Sequence, residues 1–251
     1  MTTRELCGTD ELDLELSVWA SAQLTVLGLL WVSVGLHPVA WMAGMTYAAV
    51  AGGLITIALH RSWTGMLGPA NRVTIARAIL VGGVTALVAD AIGNEPRVTL
   101  LVVLASTALA LDAVDGYVAR RTGTTTRLGA RFDMEVDAFL ILVLSVFDSL
   151  SLGWWVLAIG AMRYAFVAAG WLLPWLRATL PVSYARKTVA AIQGVALVAA
   201  GSRLLPAPVA TTIAAVALAT LVWSFGRDVV WLWRARAPRP STVRADVRLA
   251  R

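Results

Sequence analysis

Charge is scarce in this chain. Only 14% of its 251 residues are charged and 59% are hydrophobic, whereas soluble domains carry roughly 25% charged residues. With several long apolar runs, this balance excludes an ordinary soluble globule and implies an integral membrane protein. Lysine occurs once, as Lys187, so the net charge of +6 is almost wholly an arginine charge. Arginines set between apolar runs suit loops that face anionic lipid head groups better than a nucleic-acid surface. No nucleic-acid partner is expected. Cysteine also occurs once, as Cys7, which excludes an intramolecular disulfide. Cys7 reads as an inert thiol in an N-terminal tail. The chain starts MTTRELCGTDELDLELS, with neither a basic n-region nor a small-residue cleavage site, so its first apolar run reads as a retained helix.

What is present is a series of about eight apolar segments near the roughly 20 residues that a spanning helix needs. They are Leu16–Leu36, Val39–Leu59, Val73–Ile92, Val98–Val118, Leu128–Phe147, Leu152–Leu173, Thr188–Leu205 and Val209–Trp233. The expected fold is all-α, a polytopic membrane bundle. Arginine bias gives its orientation. Arg61, Arg72, Arg77, Arg120, Arg121, Arg127, Arg131, Arg177, Arg186 and Lys187 fall in connections on one side, followed by the arginine-rich tail after Phe225. That side is expected to be cytoplasmic, with both termini inside. Trp63, Trp154, Trp155, Trp171, Trp175, Trp231 and Trp233 lie near expected helix ends, as an interfacial aromatic belt does. The segment from Arg61 to Arg72 reads as a short interfacial helix or turn, and the tail from Ala235 as a disordered basic segment.

One stretch stands apart. Leu111 to Phe139 lies among apolar segments yet holds Asp112, Asp115, Asp133 and Asp137. Carboxylates at membrane depth cost about 2.5–3.5 kcal/mol each on insertion scales, so they need a partner or a purpose. At about 100° per residue, Asp112, Asp115, Gly116 and Ala119 share one helix face, with Arg120 at its margin. Gly123 is a natural helix stop, and Thr125 or Thr126 a natural cap for the next helix. On that helix Gly129, Asp133 and Asp137 share a face, while Glu135 points the opposite way and is assigned no metal. Two antiparallel helices would thus aim four carboxylates at one another. Four such groups repel unless cations intervene. An oxygen-only ligand set suits Mg²⁺ or Mn²⁺ and not zinc, and the two histidines, His37 and His60, lie elsewhere. A pair of such cations clamps a diphosphate well, and Arg120 offers a fork to a phosphate. The plainer alternative is a set of helix-end carboxylates neutralised by Arg121, Arg127 and Arg131.

The spacing D-x2-D-G-x2-A-R-x8-G-x3-D-x3-D, from Asp112 to Asp137, resembles the signature of the CDP-alcohol phosphatidyltransferase family at every defined position. Upstream, Asn71, Thr74 and Arg77 are similar to an N-x2-T-x2-R element of many relatives. The resemblance implies a six-helix core with about two extra N-terminal helices. Expected boundaries are 1–60 for the N-terminal tail and added helices, 61–233 for the core and 234–251 for a basic tail. It further implies two divalent cations on Asp112, Asp115 and Asp133, with Asp137 as general base that also lies against the metals. Gly116, Ala119, Arg120, Gly129 and Asp112 would contact the CDP moiety, with Asn71 and Thr74 as further nucleotide-pocket candidates. The donor would be a CDP-linked lipid, commonly CDP-diacylglycerol. A small acceptor alcohol would attack the lipid-side phosphorus and release CMP, in phospholipid synthesis on the cytoplasmic side of a bacterial cell membrane. A homodimer is also implied.

Acceptor choice rests on basic residues. Arg163 sits mid-span in GAMRYAF, and Arg186 and Lys187 open the seventh span. Relatives using glycerol phosphate or inositol phosphate place basic residues in comparable helices. Arg163 would meet either an acceptor phosphate or a motif aspartate. The K-T-x4-Q spacing from Lys187 to Gln193 departs from the K-T-x2-Q of glycerol-phosphate-using relatives, which leaves the acceptor open. Two other functions fit an aspartate cluster: a cation or proton transporter, and an inactive membrane scaffold. Transporter sites usually lie at the bilayer midplane, whereas these carboxylates fall at helix ends.

Overall fold

The computed structural model describes residues 3–61, 69–122, 127–178 and 184–236. They form eight α-helices and two short 3₁₀ turns, without a strand among the described residues. The helices are α1 (Thr3–Val34), α2 (Pro38–Arg61), α3 (Pro69–Ala91), α4 (Val98–Thr122), α5 (Arg127–Leu152), α6 (Leu157–Leu172), α7 (Tyr184–Gly201) and α8 (Ala207–Ala235). Every expected apolar segment has its helix. Four described stretches are long and apolar enough to cross a membrane: Ser17–Val34, Val73–Ala91, Trp154–Leu172 and Ala207–Ala235. The apolar parts of α4 and α7, Val98–Val114 and Thr188–Gly201, are shorter. The architecture is an all-α polytopic membrane bundle.

The boundaries differ from expectation where local chemistry is strong. α1 begins at Thr3, so the acidic segment read as a tail is helix, continuous with the first span. Leu and Glu are good helix formers, and acidic residues near a helix N-terminus are stabilised by its dipole. α7 stops at Gly201 rather than near Leu205. Arg203 takes a left-handed φ of 56°, and Pro206 biases its predecessor away from helix. The sixth segment is divided at Gly153, whose φ of 102° admits a 3₁₀ turn, Trp154–Val156, before α6. The expected interfacial turn at 62–68, the Gly123/Thr125/Thr126 junction and the tail from 237 lie outside the described residues.

α3 is the axis of the molecule. It packs against α1, α2, α4 and α5, and 61% of its apolar window is buried, against 22% for that of α1. Around it, α5 packs on α6 and α7, and α7 on α4 and α8. Lipid offers helices little hydrophobic drive to associate, so contact relies on small residues and close packing. Gly82 of α3 shows this, since a Cβ there would run into the Gln23 amide of α1. Gly160 of α6 shows it more strongly, since its Cβ would stand 2.5 Å from the Leu142 Cα of α5. At the far end from the motif aspartates, the backbone N–H of His37 donates to Asp90 Oδ1 at 3.1 Å and its Nδ1 lies 2.9 Å from the same oxygen. This ties the α1–α2 connection to the end of α3. The outward surface is apolar, with Val32, Trp154, Trp171, Leu172 and Leu204 exposed.

Candidate metal centre

Three helices build the site. α4 brings Asp112 from its C-terminal half, and α5 brings Asp133 and Asp137 from its first three turns. Residues four apart lie on one helix face, so Asp133 and Asp137 point together. Carboxylate oxygens of Asp112, Asp133 and Asp137 lie within 4.8 Å of one another. Ligands opposite each other on one Mg²⁺ stand about 4.2 Å apart, so this cluster needs little closing to hold a hard cation. All three donors are oxygen, the set that Mg²⁺ and Mn²⁺ prefer. The three side chains are about one-third exposed, at 38%, 33% and 34% respectively, which leaves them open to a ligand.

The third helix contributes a cation of the chain itself. Arg77 of α3 is 1% exposed. Its Nη1 donates to Asp112 Oδ1 at 2.5 Å, and its Nη2 donates to Asp133 Oδ1. Nη2 also stands 3.3 Å from Asp137 Oδ1 and donates to the Asp133 carbonyl at 3.3 Å. Three negative charges thus surround one positive charge, and the balance suits added divalent cations. Arg77 counts among the topology-setting arginines when the sequence is read alone; the structure places it inside α3 and buried.

The other expected site residues divide into three groups. Thr74 is buried one turn before Arg77, and Gly129 is half-buried one turn before Asp133. Asp115, Gly116, Ala119 and Arg120 lie on α4, Asn71 on α3 and Lys187 on α7, but their side chains fall outside the described residues. Arg163 and Arg186 are held elsewhere. Arg163 of α6 donates to Glu135 of α5 and pairs with none of Asp112, Asp133 and Asp137. Glu135 is two residues from both Asp133 and Asp137, on the opposite face of α5, as the helix spacing requires. Arg186 lies 3.4 Å from Asp228 of α8. Gln193 ties α7 to α8, donating to the Ala217 carbonyl at 2.9 Å and the Thr220 hydroxyl at 3.3 Å.

A family model described as CDP-alcohol phosphatidyltransferase matches residues 67–223, more than half of the chain. The chain belongs to the CDP-alcohol phosphatidyltransferase family. No curated protein and no solved structure matches it. Members of this membrane enzyme family are transferases that move a phosphatidyl group from a CDP-alcohol, and the family uses divalent metals. The matched region holds Arg77 and all three clustered aspartates, while α1, α2 and Asp228 fall outside it.

Arg77 is named in the sequence without a role, and its contacts with the aspartates are what the structure adds. The signal for Arg77 was its place in the N-x2-T-x2-R element, one turn after Thr74, inside a span where a charge needs a counter-charge. Glu135 provides the complementary test. It is half-exposed, at 50%, and pairs of that kind contribute about 0–1 kcal/mol. Glu135→Gln is expected to keep the transferase rate within about twofold, because the side chain touches neither the aspartate cluster nor Arg77. Steady-state kinetics of the purified variant check this, and a tenfold loss would place Glu135 in the site.

Proposed function

We propose that this family member transfers a phosphatidyl group from CDP-diacylglycerol to a small alcohol, with release of CMP, using divalent cations held by Asp112, Asp115, Asp133 and Asp137. The convergence of three motif carboxylates from α4 and α5 carries this reading. When bound, the cations supply charge neutralisation for the diphosphate and for the phosphate that leaves with cytidine.

The chain's own groups do the rest. Asp137 accepts the proton of the acceptor hydroxyl, whose oxygen then forms the new bond to the lipid-side phosphorus while the bond to CMP breaks. Among the three clustered aspartates, Asp137 makes the longest contact with Arg77, 3.3 Å against 2.5 Å for Asp112. Gly116, Ala119 and Gly129 keep the nucleotide side short, and Arg120, Asn71 and Thr74 bind the CDP moiety. Holding donor and acceptor in line is the main catalytic contribution in such transfers.

For the acceptor we favour Arg186 and Lys187, because they open α7 at the end of the bundle where α5 begins. Arg163 faces away from the aspartates, on the far face of α5 with Glu135, whereas at Arg186 an acceptor phosphate would join or displace Asp228, 3.4 Å away. A phosphorylated polyol such as glycerol phosphate or inositol phosphate suits two adjacent cationic residues. The arginine-rich end, with the active site, is assigned to the cytoplasmic face of a bacterial membrane by charge bias. The catalytic unit is taken as 61–233, between an N-terminal region of 1–60 and a basic tail of 234–251.

The test is release of CMP. Purified chain in lipid vesicles, given CDP-diacylglycerol, Mg²⁺ or Mn²⁺ and a panel of alcohols and phosphorylated polyols, is expected to release CMP with at least one acceptor. The lipid product identifies that acceptor, and EDTA abolishes the reaction. Silence across the whole panel and with other CDP-linked lipids would overturn the reading.

A further inference from the structure

Arg77 lies outside the aspartate signature, yet its side chain touches Asp112, Asp133 and Asp137 together. Its burial is deep, and its Nε has no acceptor among the described residues. The guanidinium is therefore oriented by its carboxylates and by packing. Part of that packing comes from outside the family-matched region. Trp19 of α1 and Ala51 of α2 are buried against Ile75 and Ile79, which flank Arg77 on α3, and against Tyr47 and Phe132. Tyr47 of α2 also stacks on Phe139 of α5, with ring centroids 5.1 Å apart. The two N-terminal helices thus wall off α3 beside the site and hold the segment that carries Arg77.

A buried guanidinium is a rigid planar fork. It fixes the direction of each bond as well as supplying charge, which an ammonium does not do in the same way. Arg77 engages one oxygen from each of three carboxylates on two other helices, and a carboxylate has two oxygens that a guanidinium and a metal can share. Groups that orient metal ligands in this manner typically change metal affinity by about 10–100-fold when altered.

We propose that Arg77 is a positioning residue for the metal centre, setting the orientation of Asp112, Asp133 and Asp137 rather than only cancelling their charge. This rests on the reading of those aspartates as metal ligands. A counter-charge role and a positioning role predict opposite results in a direct binding experiment. If Arg77 only cancels charge, Arg77→Lys binds cations as the parent does, and Arg77→Gln binds them more tightly because a repelling positive charge is gone. If it positions the carboxylates, both variants bind more weakly.

The probe is Mn²⁺, titrated into the detergent-solubilised full-length protein and followed by the electron paramagnetic resonance signal of free ion, with no substrate present. Arg77→Lys is expected to weaken Mn²⁺ binding about tenfold or more although the charge is kept, and Arg77→Gln to weaken it as well. Far-UV circular dichroism and size exclusion check the fold of each variant. Parent-like binding by Arg77→Lys together with tighter binding by Arg77→Gln would overturn the proposal alone. Failure of Arg77→Lys to fold would also overturn it, since a positioning role with the charge kept leaves the fold intact. Absence of Mn²⁺ binding by the parent protein would instead overturn the metal reading of the aspartates, and this proposal with it.

Discussion

Asp137→Asn is expected to lower the rate of CMP release by roughly 10²–10⁴-fold, the usual contribution of a general base. The substitution keeps the shape of the side chain and one oxygen at the position facing Arg77, but removes the proton-accepting charge. The fold should survive it. Arg77 retains Asp112 and Asp133, and its 3.3 Å approach to residue 137 is weakened. Initial rates at saturating donor and acceptor, beside a circular dichroism melt, separate the two effects. A variant that keeps more than about a tenth of the parent rate would move the base to another residue.

Gly160→Ala is expected to be the most damaging small substitution in the scaffold. The added carbon would stand 2.5 Å from the Leu142 Cα. Backbone cannot rotate away as a side chain can, so α5 and α6 must separate or slide. Overpacking usually costs about 1–3 kcal/mol, and in a chain of this size each kcal/mol lowers Tm by roughly 2–4 °C. Because α5 carries Asp133 and Asp137, activity should fall together with stability. Gly28→Ala is the control, since a Cβ there meets nothing within 4 Å. Differential scanning fluorimetry on both variants checks the contrast, and equal melting temperatures would show that the α5–α6 approach tolerates the carbon.

Helix existence was legible because long apolar runs leave a membrane-spanning chain few alternatives. Helix ends were less so. The start of α1 lies in an acidic, polar segment that resembles a tail by hydropathy, and the end of α7 depends on a left-handed turn at Arg203 that periodicity does not encode. In the site, Asp133 and Asp137 could be placed on one face from helix spacing alone, and Glu135 on the other. The partners of Arg77 could not be placed. A lone arginine near a helix entrance looks like any topology-setting residue, and its three partners lie on two later helices. Arg163 misleads in the converse way. Its depth in the sixth span suggests a buried charge in need of a ligand, but its long side chain reaches Glu135, 28 residues away in sequence.

The Arg77 contacts also bear on how the chain is made. Asp112 lies 35 residues after Arg77, and Asp133 lies 56 residues after it. All three carboxylates are therefore synthesised after the cation they neutralise. An arginine near a helix entrance can reach the interface while it is unpaired, so α3, which is apolar enough to span, can insert before its partners exist. The physics favours a co-translational intermediate in which Arg77 reaches for the interface until α4 and α5 arrive. Assembly of the site and burial of Arg77 would then be one event.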